Sequence, residues 1–172
     1  MPLVSQYLNK LSAWLLLGLS VSLASCTEDS PPTEAEVIAR FERSAPALST
    51  LAQMSDEDFS RTGVTRIADH FTRLKDNWAW PRADSTIGVS PERWTEYRRL
   101  FKSTEFTTGL DRQGPQHEMI MFSFWGVGLA DNMLERGVLY SAISPASKDS
   151  EASSFHVVPI RGHWYAYEWR TW

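Results

Sequence analysis

An uncharged apolar stretch near the start of the chain, residues 11–23 (LSAWLLLGLSVSL), most restricts what this sequence can fold into. Lys10 stands before the stretch, and the small residues Ala24 and Ser25 follow it. A positive residue, an apolar run of about 7–15 residues and small residues in this order are typical of a secretory signal peptide. The run is shorter than the about 20 apolar residues that a transmembrane helix needs. We therefore expect residues 1–25 to be a cleaved signal peptide; a buried core helix is the alternative.

The single cysteine, Cys26, follows this stretch directly. Residues 23–26 (LASC) resemble the lipobox of bacterial lipoprotein precursors, which reads Leu, a small residue, Gly, Ala or Ser, and then Cys. The resemblance implies that the Cys26 thiol receives a diacylglyceryl group, that the chain is cut before it, and that the new amino group is acylated, for example with palmitate. Two or more acyl chains anchor a protein stably in a bilayer, whereas one chain binds only marginally. The alternative is an ordinary signal peptide followed by a chance free thiol.

The lipobox resemblance also implies a location in the cell. It predicts a lipoprotein of the cell envelope that is anchored in a membrane through its N-terminal lipid and faces the periplasm. Thr27 stands where inner-membrane lipoproteins of enteric bacteria tend to have Asp, which favours the outer membrane in a Gram-negative source.

The rest of the chain has the composition of one globular domain. The 172 residues are 42% hydrophobic with a formal net charge of −4, which excludes a disordered protein. The sequence pI of about 5.6 argues against a nucleic-acid partner. A lone cysteine excludes an internal disulfide framework and a Cys-rich zinc site. Residues 26–33 are polar and proline-rich, as in a short linker, so residues 34–172 are expected to form a single domain.

Two helices are predicted from their start signals. Thr33 can cap a first helix with an acidic first turn, followed by apolar residues at three- and four-residue steps. Pro46 lies within this apolar stripe, so we expect a kink or a break near Ser44 and Ala45. A second helix is predicted to start with Ser90 as cap and Pro91 at the first helical position. Its buried stripe is expected to comprise Trp94, Tyr97, Leu100 and Phe101, with an outward face of Arg93, Glu96, Arg98, Arg99 and Lys102.

Antiparallel β-structure is predicted for much of the remainder. A strand is favoured over residues 64–74, a loop from Trp78 to Pro81, and a flexible loop over residues 144–154. Further strands are expected over residues 118–125, 137–143, 155–160 and 163–169, with Gly126 and Gly128 at a strand end. On the last strand, alternation places His163, Tyr165, Tyr167 and Trp169 on one face and Trp164, Ala166 and Glu168 on the other. The predicted fold class is α+β, with two helices packed on a four- to five-stranded, mostly antiparallel sheet.

Three motifs of the domain occur in a fixed order: residues 87–101 (IGVSPERWTEYRRLF), 137–141 (GVLYS) and 162–167 (GHWYAY). They resemble the Gly-Ile-Ser-x-x-Arg-Trp-x-x-Tyr-Arg-x-Leu-Phe, Gly-x-x-Tyr-Ser and Gly-x-Trp-Tyr-x-Tyr elements of a family of small uncharacterised bacterial proteins, often lipoproteins. The resemblance spans residues 35–167. It supports the domain boundaries and implies no particular chemistry.

Catalytic and metal-binding motifs do not stand out in the sequence. The four histidines form no HxxxH or HExxH pair, and there is no GxSxG or SxxK motif. Residues 126–128 (GVG) lack the third glycine of a dinucleotide-binding motif. We therefore expect no cofactor and no metal, and we favour a protein without catalytic activity. The oligomeric state stays open.

Aromatic residues supply the candidate binding site. Most tryptophans are expected to build the core, but four at loop and chain ends can line a surface groove for a glycan or peptide: Trp78, Trp80, Trp169 and Trp172. The candidate binding residues are Trp78, Trp80, Arg98, Tyr140 and Trp169. The leading hypothesis is a binding module for an envelope protein or polymer. The alternative is an envelope hydrolase with a site assembled from His117, Glu118, Arg98 and Tyr140.

Overall fold

The structure, a computed structural model, describes residues 30–68, 72–74, 77–79, 88–104, 109–129 and 132–172. For residues 72–74, 77–79 and 129 it describes the backbone and not the side chains. The predictions for the signal peptide, for the lipobox with Cys26 and for Trp80 lie outside the described residues.

Helix α1 spans Glu34–Thr62 and begins at the predicted cap. The Glu36 backbone N–H donates a hydrogen bond to the Thr33 hydroxyl, and the Thr33 N–H donates one to the Glu36 carboxylate at 2.7 Å. These reciprocal bonds form a capping box, which satisfies donors that the start of a helix otherwise leaves without partners. Gly63 ends the helix in the left-handed conformation, with φ 74°.

Pro46 does not interrupt α1, so of the expected kink or break near Ser44 and Ala45 the break is wrong. Ala45 and Leu48, on either side of the proline, are buried in the same core, whereas Pro46 itself is exposed. A proline inside a helix removes one hydrogen bond, at roughly 3 kcal/mol. Because the apolar stripe packs on the core both before and after Pro46, burial outweighs that loss and the helix continues to Thr62.

Helix α2 spans Pro91–Ser103 and confirms the prediction from its cap. The Arg93 backbone N–H donates a hydrogen bond to the Ser90 hydroxyl at 3.2 Å, and Pro91 lies in the first turn. The predicted buried stripe is also confirmed, since all four of its members are buried: Trp94, Tyr97, Leu100 and Phe101.

Within the described residues the β-structure is one antiparallel sheet and there are two helices, which confirms the α+β class. In chain order its strands are β1 Val64–Ile67, β2 Thr72–Leu74, β3 Asn77–Ala79, β4 Leu110–Gln113, β5 Met119–Leu129, β6 Asn132–Ser141, β7 Lys148–Asp149, β8 Ser153–Arg161 and β9 Trp164–Thr171. Their order across the sheet is β3-β2-β1-β4-β5-β6-β9-β8-β7. The prediction of four to five strands is wrong, because seven strands remain even without the short edge segments β3 and β7.

The additional strands have two origins. β3 begins at Asn77 and includes Trp78, in the segment predicted as a loop, and β7 lies within the predicted loop 144–154. The stretch predicted as one strand, residues 64–74, instead contributes two strands, β1 and β2, which pair antiparallel. Strands of two to four residues show little periodicity of their own, and the neighbours with which they pair decide their conformation.

Glycines lie inside the two longest strands and not at their ends. β5 continues through Gly126 and Gly128 to its hairpin with β6, which corrects the predicted strand end. Gly137 lies within β6, opposite Ser123 on β5 and Tyr167 on β9. A Cβ atom at Gly137 would lie 2.1 Å from the Phe122 carbonyl oxygen and 2.9 Å from the Tyr167 ring. The Tyr167 ring therefore packs directly against the backbone of β6.

The sheet has two faces with different coverings. The inner face packs on both helices, and Trp164 is in contact with Phe41 of α1 at 5.2 Å between ring centroids. The outer face carries a smaller apolar cluster to which, among the described residues, neither helix contributes: Met121, Leu139 and Tyr167, with Phe155, Val157, Tyr165 and Trp169 against them. The predicted alternation is confirmed within β9, because Trp164 and Ala166 face inward while Tyr165, Tyr167 and Trp169 face outward. The prediction that His163 shares the outer face is wrong: it precedes the strand, and its ring lies 5.9 Å from that of Tyr140.

A buried carboxylate joins the two helices. The Asp58 side chain, 2% exposed, accepts hydrogen bonds from Arg61 at 2.7 Å, Arg93 at 2.8 Å and the Tyr97 hydroxyl at 2.9 Å. Arg93 also donates to Glu57 at 2.8 Å. Arg93 was expected to face solvent, and this expectation is wrong because the helix α1 carboxylates lie across from it. The helical spacing predicts which positions share a face, but not which charged groups another element places opposite them.

Candidate ligand-binding cleft on the outer sheet face

A cavity of about 410 Å³ opens on the outer face of the sheet. It is formed by side chains and backbone of β1, β4, β5, β6 and β9 together with Gly109. We call this cavity the cleft. Its polar lining residues are Arg66, Asp111, Gln113, Ser123 and Glu135, and its large apolar ones are Met121, Met133 and Trp169. A cavity of this size lies within the range of about 300–1,000 Å³ that is usual for small-molecule sites.

The buried phenol of Tyr167 holds one polar group of the cleft in place. Its hydroxyl donates a hydrogen bond to the Glu135 carboxylate on the adjacent strand β6. Burial raises the pKa of Tyr167 well above 10; the Glu135 charge and hydrogen bond raise it further, and a hydrogen bond with Ser123 lowers it. The phenol therefore stays protonated at neutral pH and acts as a donor. Glu135 lines the cleft as an acceptor whose position is set by this bond.

A second carboxylate lines the cleft from strand β4. The Gln113 side-chain amide donates a hydrogen bond to the Asp111 carboxylate at 2.9 Å, and the Arg66 guanidinium lies 3.8 Å from the same carboxylate. Asp111 and Gln113 are two residues apart on a strand and so point to the same face. Their neighbours Leu110 and Arg112 are buried on the inner side. The alternation of β4 therefore brings a carboxylate and an amide to the cleft together.

Trp169 lies between the cleft and a smaller cavity. This second cavity, of about 170 Å³, is lined by Gln113, Gly114, Met119, Met121, Phe155 and Trp169. Three residues line both cavities: Gln113, Met121 and Trp169. In the ladder Trp169 pairs with Glu135 on one side and Phe155 on the other. The half-buried indole thus has a polar neighbour toward the cleft and an aromatic one toward the second cavity.

Of the candidate binding residues, Trp169 is the one that the structure places in the cleft. Tyr140 lies on the inner face, where its ring is 5.3 Å from that of Trp164. Arg98 is on the exposed side of α2. Trp172 is 55% exposed, and its indole N–H donates a hydrogen bond to the Glu151 carbonyl at 2.6 Å. The backbone of Trp78 is in β3, but its side chain and all of Trp80 lie outside the description.

The residues of the hydrolase hypothesis have separate neighbours in the structure. The His117 ring contacts Phe59 of α1 at 5.4 Å, and its backbone has φ 57°. Glu118 accepts a hydrogen bond from the Gln116 backbone N–H at 2.9 Å. Tyr140 lines a different cavity, between α1 and the sheet. The described contacts therefore give these side chains structural roles in different places.

The cleft residues that sequence reasoning missed have ordinary polar side chains on strands. Asp111 and Gln113 are on a four-residue strand that lies outside every predicted strand. Glu135 lies ahead of the predicted start of its strand at Gly137. Residues 110–113 (LDRQ) have one apolar residue and no apolar alternation, so the alternation of buried and half-buried positions appears only in the folded strand.

The described residues contain neither a cluster of metal ligands nor a membrane-spanning helix. No three side chains of His, Cys, Asp or Glu approach one another in a way that could hold a metal ion. Within the same residues, no helix has both the length and the apolar character to span a membrane.

Comparison with known proteins adds no relative. No family model, curated protein or solved structure matches the chain.

Proposed function

We propose that the protein is a bacterial envelope lipoprotein, anchored through Cys26, whose domain binds an envelope polymer in the cleft without cleaving it. The observation that carries the proposal is the cleft itself. There, Trp169 lines the same cavity as two carboxylates and an amide, those of Asp111, Glu135 and Gln113. An apolar surface combined with a few positioned polar groups is the usual composition of a ligand site.

The polar groups of the cleft support binding by hydrogen bonds. Glu135 accepts a hydrogen bond from Tyr167, and Asp111 accepts one from Gln113. Each carboxylate is thereby oriented before a ligand arrives, and carboxylate oxygens are acceptors for hydroxyl and amide donors. Orientation before binding reduces the conformational entropy that is lost on association.

The start of the domain supports a short tether. The Arg136 guanidinium donates a hydrogen bond to the Pro32 carbonyl at 2.5 Å, and the capping box of α1 follows at Thr33. From Cys26 to Pro32 the chain can extend by at most about 3.6 Å per residue, or roughly 22 Å in all. A lipid on Cys26 would therefore hold the first turn of α1 near the membrane surface.

The anchor is tested by replacing its cysteine. Cells that produce the chain are grown with a radioactive or clickable palmitate analogue, and Cys26→Ser is compared with the control Ser30→Ala. We expect the control to be labelled and recovered with membranes, and Cys26→Ser to lose both the label and the membrane association. A Cys26→Ser protein that is still labelled and membrane-bound contradicts the anchor.

Polymer binding is tested with the lipoprotein purified in detergent and insoluble cell-wall material as the probe. We expect co-sedimentation of the wild type and of the control Trp172→Ala, and a loss of at least about tenfold in affinity for Trp169→Ala. Equal binding by all three proteins contradicts the cleft as the site. Release of soluble wall fragments by the wild type, and not by the Trp169 variant, would instead establish the hydrolase.

A further inference from the structure

The cleft and the second cavity adjoin and together form one elongated depression. They share Gln113, Met121 and Trp169, so a ligand that touches these residues reaches both. The second cavity, at about 170 Å³, falls below the range of about 300–1,000 Å³ usual for an independent ligand site. It is therefore better understood as an extension of the cleft than as a separate site.

We propose that the two cavities bind two consecutive units of a neutral oligosaccharide chain, with Trp169 at the junction between the units. This inference rests on the proposed function and specifies the chemistry of its polymer. Sugar units present apolar C–H faces next to rings of hydroxyl groups. The site offers the matching surfaces, because the Trp169 indole and the Met121 side chain adjoin the acceptors of Asp111 and Glu135.

The charges of the lining favour a neutral chain over an anionic one. Among the described residues that line the cleft, the carboxylates of Asp111 and Glu135 stand against the guanidinium of Arg66, which lies beside Asp111. Glu135 pairs with the hydroxyl of Tyr167, which stays neutral. Acidic groups thus outnumber basic ones in the described lining, which disfavours an anionic sugar unit in the cleft itself.

The ladders beneath the cleft determine where a ligand meets side chains. Residues 119–122 of β5 pair with both β4 and β6, and residues 134–140 of β6 pair with both β5 and β9, so a ligand over these segments meets side chains. A peptide that extends a sheet needs a strand with unpaired backbone groups. Among the described residues, positions 123–129 of β5 pair with β6 alone, so the choice of a sugar over a peptide rests on the composition of the lining.

The second cavity differs from the cleft in its polarity. It is lined mainly by Met119, Met121, Phe155 and Trp169, with Gln113 as the polar side chain. The Gln113 amide is held by Asp111 at 2.9 Å and lies where the two cavities meet. We expect one sugar unit to be fixed by hydrogen bonds in the cleft, and the next to pack its apolar face on Phe155 and Met119.

The test is a chain-length series with the lipoprotein in detergent. Calorimetric dissociation constants are measured for glucose and N-acetylglucosamine oligosaccharides of one to four units. We expect affinity to rise by about tenfold between one and two or three units in at least one series, as for an added aromatic contact. An anionic oligosaccharide of matched length, such as an oligogalacturonate, is expected to bind more weakly.

Variants separate the two cavities. Phe155→Ala and Met119→Ala alter the second cavity, and both are expected to remove the gain with chain length while the single unit binds as in the wild type. Glu135→Gln and Trp169→Ala are expected to weaken every chain length. Thermal unfolding of each variant shows whether it is folded. Two separate variants of the second cavity are used so that the test can still be made if one of them does not fold.

Three results would overturn the inference: no binding in either neutral series, equal affinity for one and four units, or tighter binding of the anionic chain. If insoluble wall material still binds in a Trp169-dependent manner while neutral oligosaccharides do not, only the sugar assignment fails. The proposed function fails when the wall material itself is not bound through the cleft. Trp169-dependent binding of a peptide, with no binding of any neutral sugar, would likewise exclude the oligosaccharide.

Discussion

The hydroxyl of Tyr167 on β9 donates a hydrogen bond to the carboxylate of Glu135 on β6, beneath the cleft of the outer sheet face. Tyr167 is buried, and its ring packs over the position where Gly137 has no side chain. One tyrosine therefore supports the backbone of β6 and orients a polar group of the candidate site. Stability and binding are expected to depend on the same side chain.

Replacing Tyr167 with phenylalanine tests this double role. Tyr167→Phe keeps the ring and removes the donor, and a hydrogen bond to a charged group contributes about 1.5–3 kcal/mol. We expect the free energy of unfolding in urea to fall by about that amount and ligand binding in the cleft to weaken. Tyr165→Phe, half-buried on the same face, is the control. Equal effects of the two substitutions would show that the Glu135 bond has no special importance.

The two buried tyrosines predict a loss of stability in alkaline solution. Burial raises the pKa of Tyr97 well above 10, and the charge of Asp58 adds to the shift; Tyr167 is raised in the same direction. Both phenols titrate near pH 10 in the unfolded chain. The stabilising contribution of the two buried phenols is therefore complete below pH 10. Above pH 10 only the unfolded chain loses these protons, so the free energy of unfolding falls by up to about 1.4 kcal/mol per pH unit for each tyrosine.

Urea unfolding at pH 9–12, with phenolate absorbance near 295 nm, measures this alkaline dependence. Tyr167→Phe is expected to reduce the slope of the unfolding free energy against pH by the contribution of one tyrosine, up to about 1.4 kcal/mol per pH unit. Phenolate absorbance from all tyrosines well before unfolding, with no loss of stability, would contradict the burial of Tyr97 and Tyr167.

Asp58→Asn is expected to weaken the junction of the two helices. The Asp58 carboxylate is 2% exposed and accepts hydrogen bonds from Arg61, Arg93 and Tyr97. Arg93 and Arg61 are 26% and 61% exposed and can be solvated after the substitution, so the expected loss is that of a hydrogen bond to a charged group, about 1.5–3 kcal/mol. The measurement is the midpoint and slope of urea unfolding.

The matched control for Asp58 is its neighbour Glu57. Glu57→Gln removes a carboxylate that also binds Arg93, but this side chain is 52% exposed. Exposed ion pairs contribute little to stability, so we expect only a small change. A larger loss for Glu57→Gln than for Asp58→Asn would contradict the assignment of Asp58 as the central group.

Gly137→Ala is expected to destabilise the sheet through a steric clash. The new Cβ would approach the Phe122 carbonyl oxygen to 2.1 Å and the Tyr167 ring to 2.9 Å. Inserting atoms where there is no space costs about 1–3 kcal/mol. Gly126→Ala is the control, because its nearest neighbour would be the Glu135 Cγ at 3.7 Å. Thermal unfolding of the two variants should separate them clearly, and similar melting temperatures would contradict the close packing at Gly137.

Local signals in the sequence predicted the helices and the strong strands. The caps at Thr33 and Ser90, and the alternation on β9, depend on residues close together in the chain, and the structure confirms them. A kink or a break was predicted at Pro46, and the break was wrong because the loss of one hydrogen bond was weighed without the core that packs on both sides of the proline. The short strands were missed because pairing partners distant in sequence determine them.

The candidate site was predicted only through Trp169. Large aromatic residues are visible in a sequence as possible contacts, whereas Asp111, Gln113 and Glu135 resemble any other polar residues of a solvated strand. What makes them a site is the sheet order, which brings β4 and β6 to either side of β5. That order follows from long-range pairing, which a single sequence does not reveal.

The bond between Arg136 and the Pro32 carbonyl links the start of the domain to β6. Force on the chain ahead of Pro31 would act on this bond as well as on the backbone that leads into α1. The part of the force that the bond transmits would reach β6, which pairs with β5 over residues 132–141 and with β9 over residues 134–140. Because two ladders must yield together before an interior strand leaves a sheet, a pull from a tether is shared across the centre of the molecule. A ligand held over β6 would then be bound on the strand that bears that force.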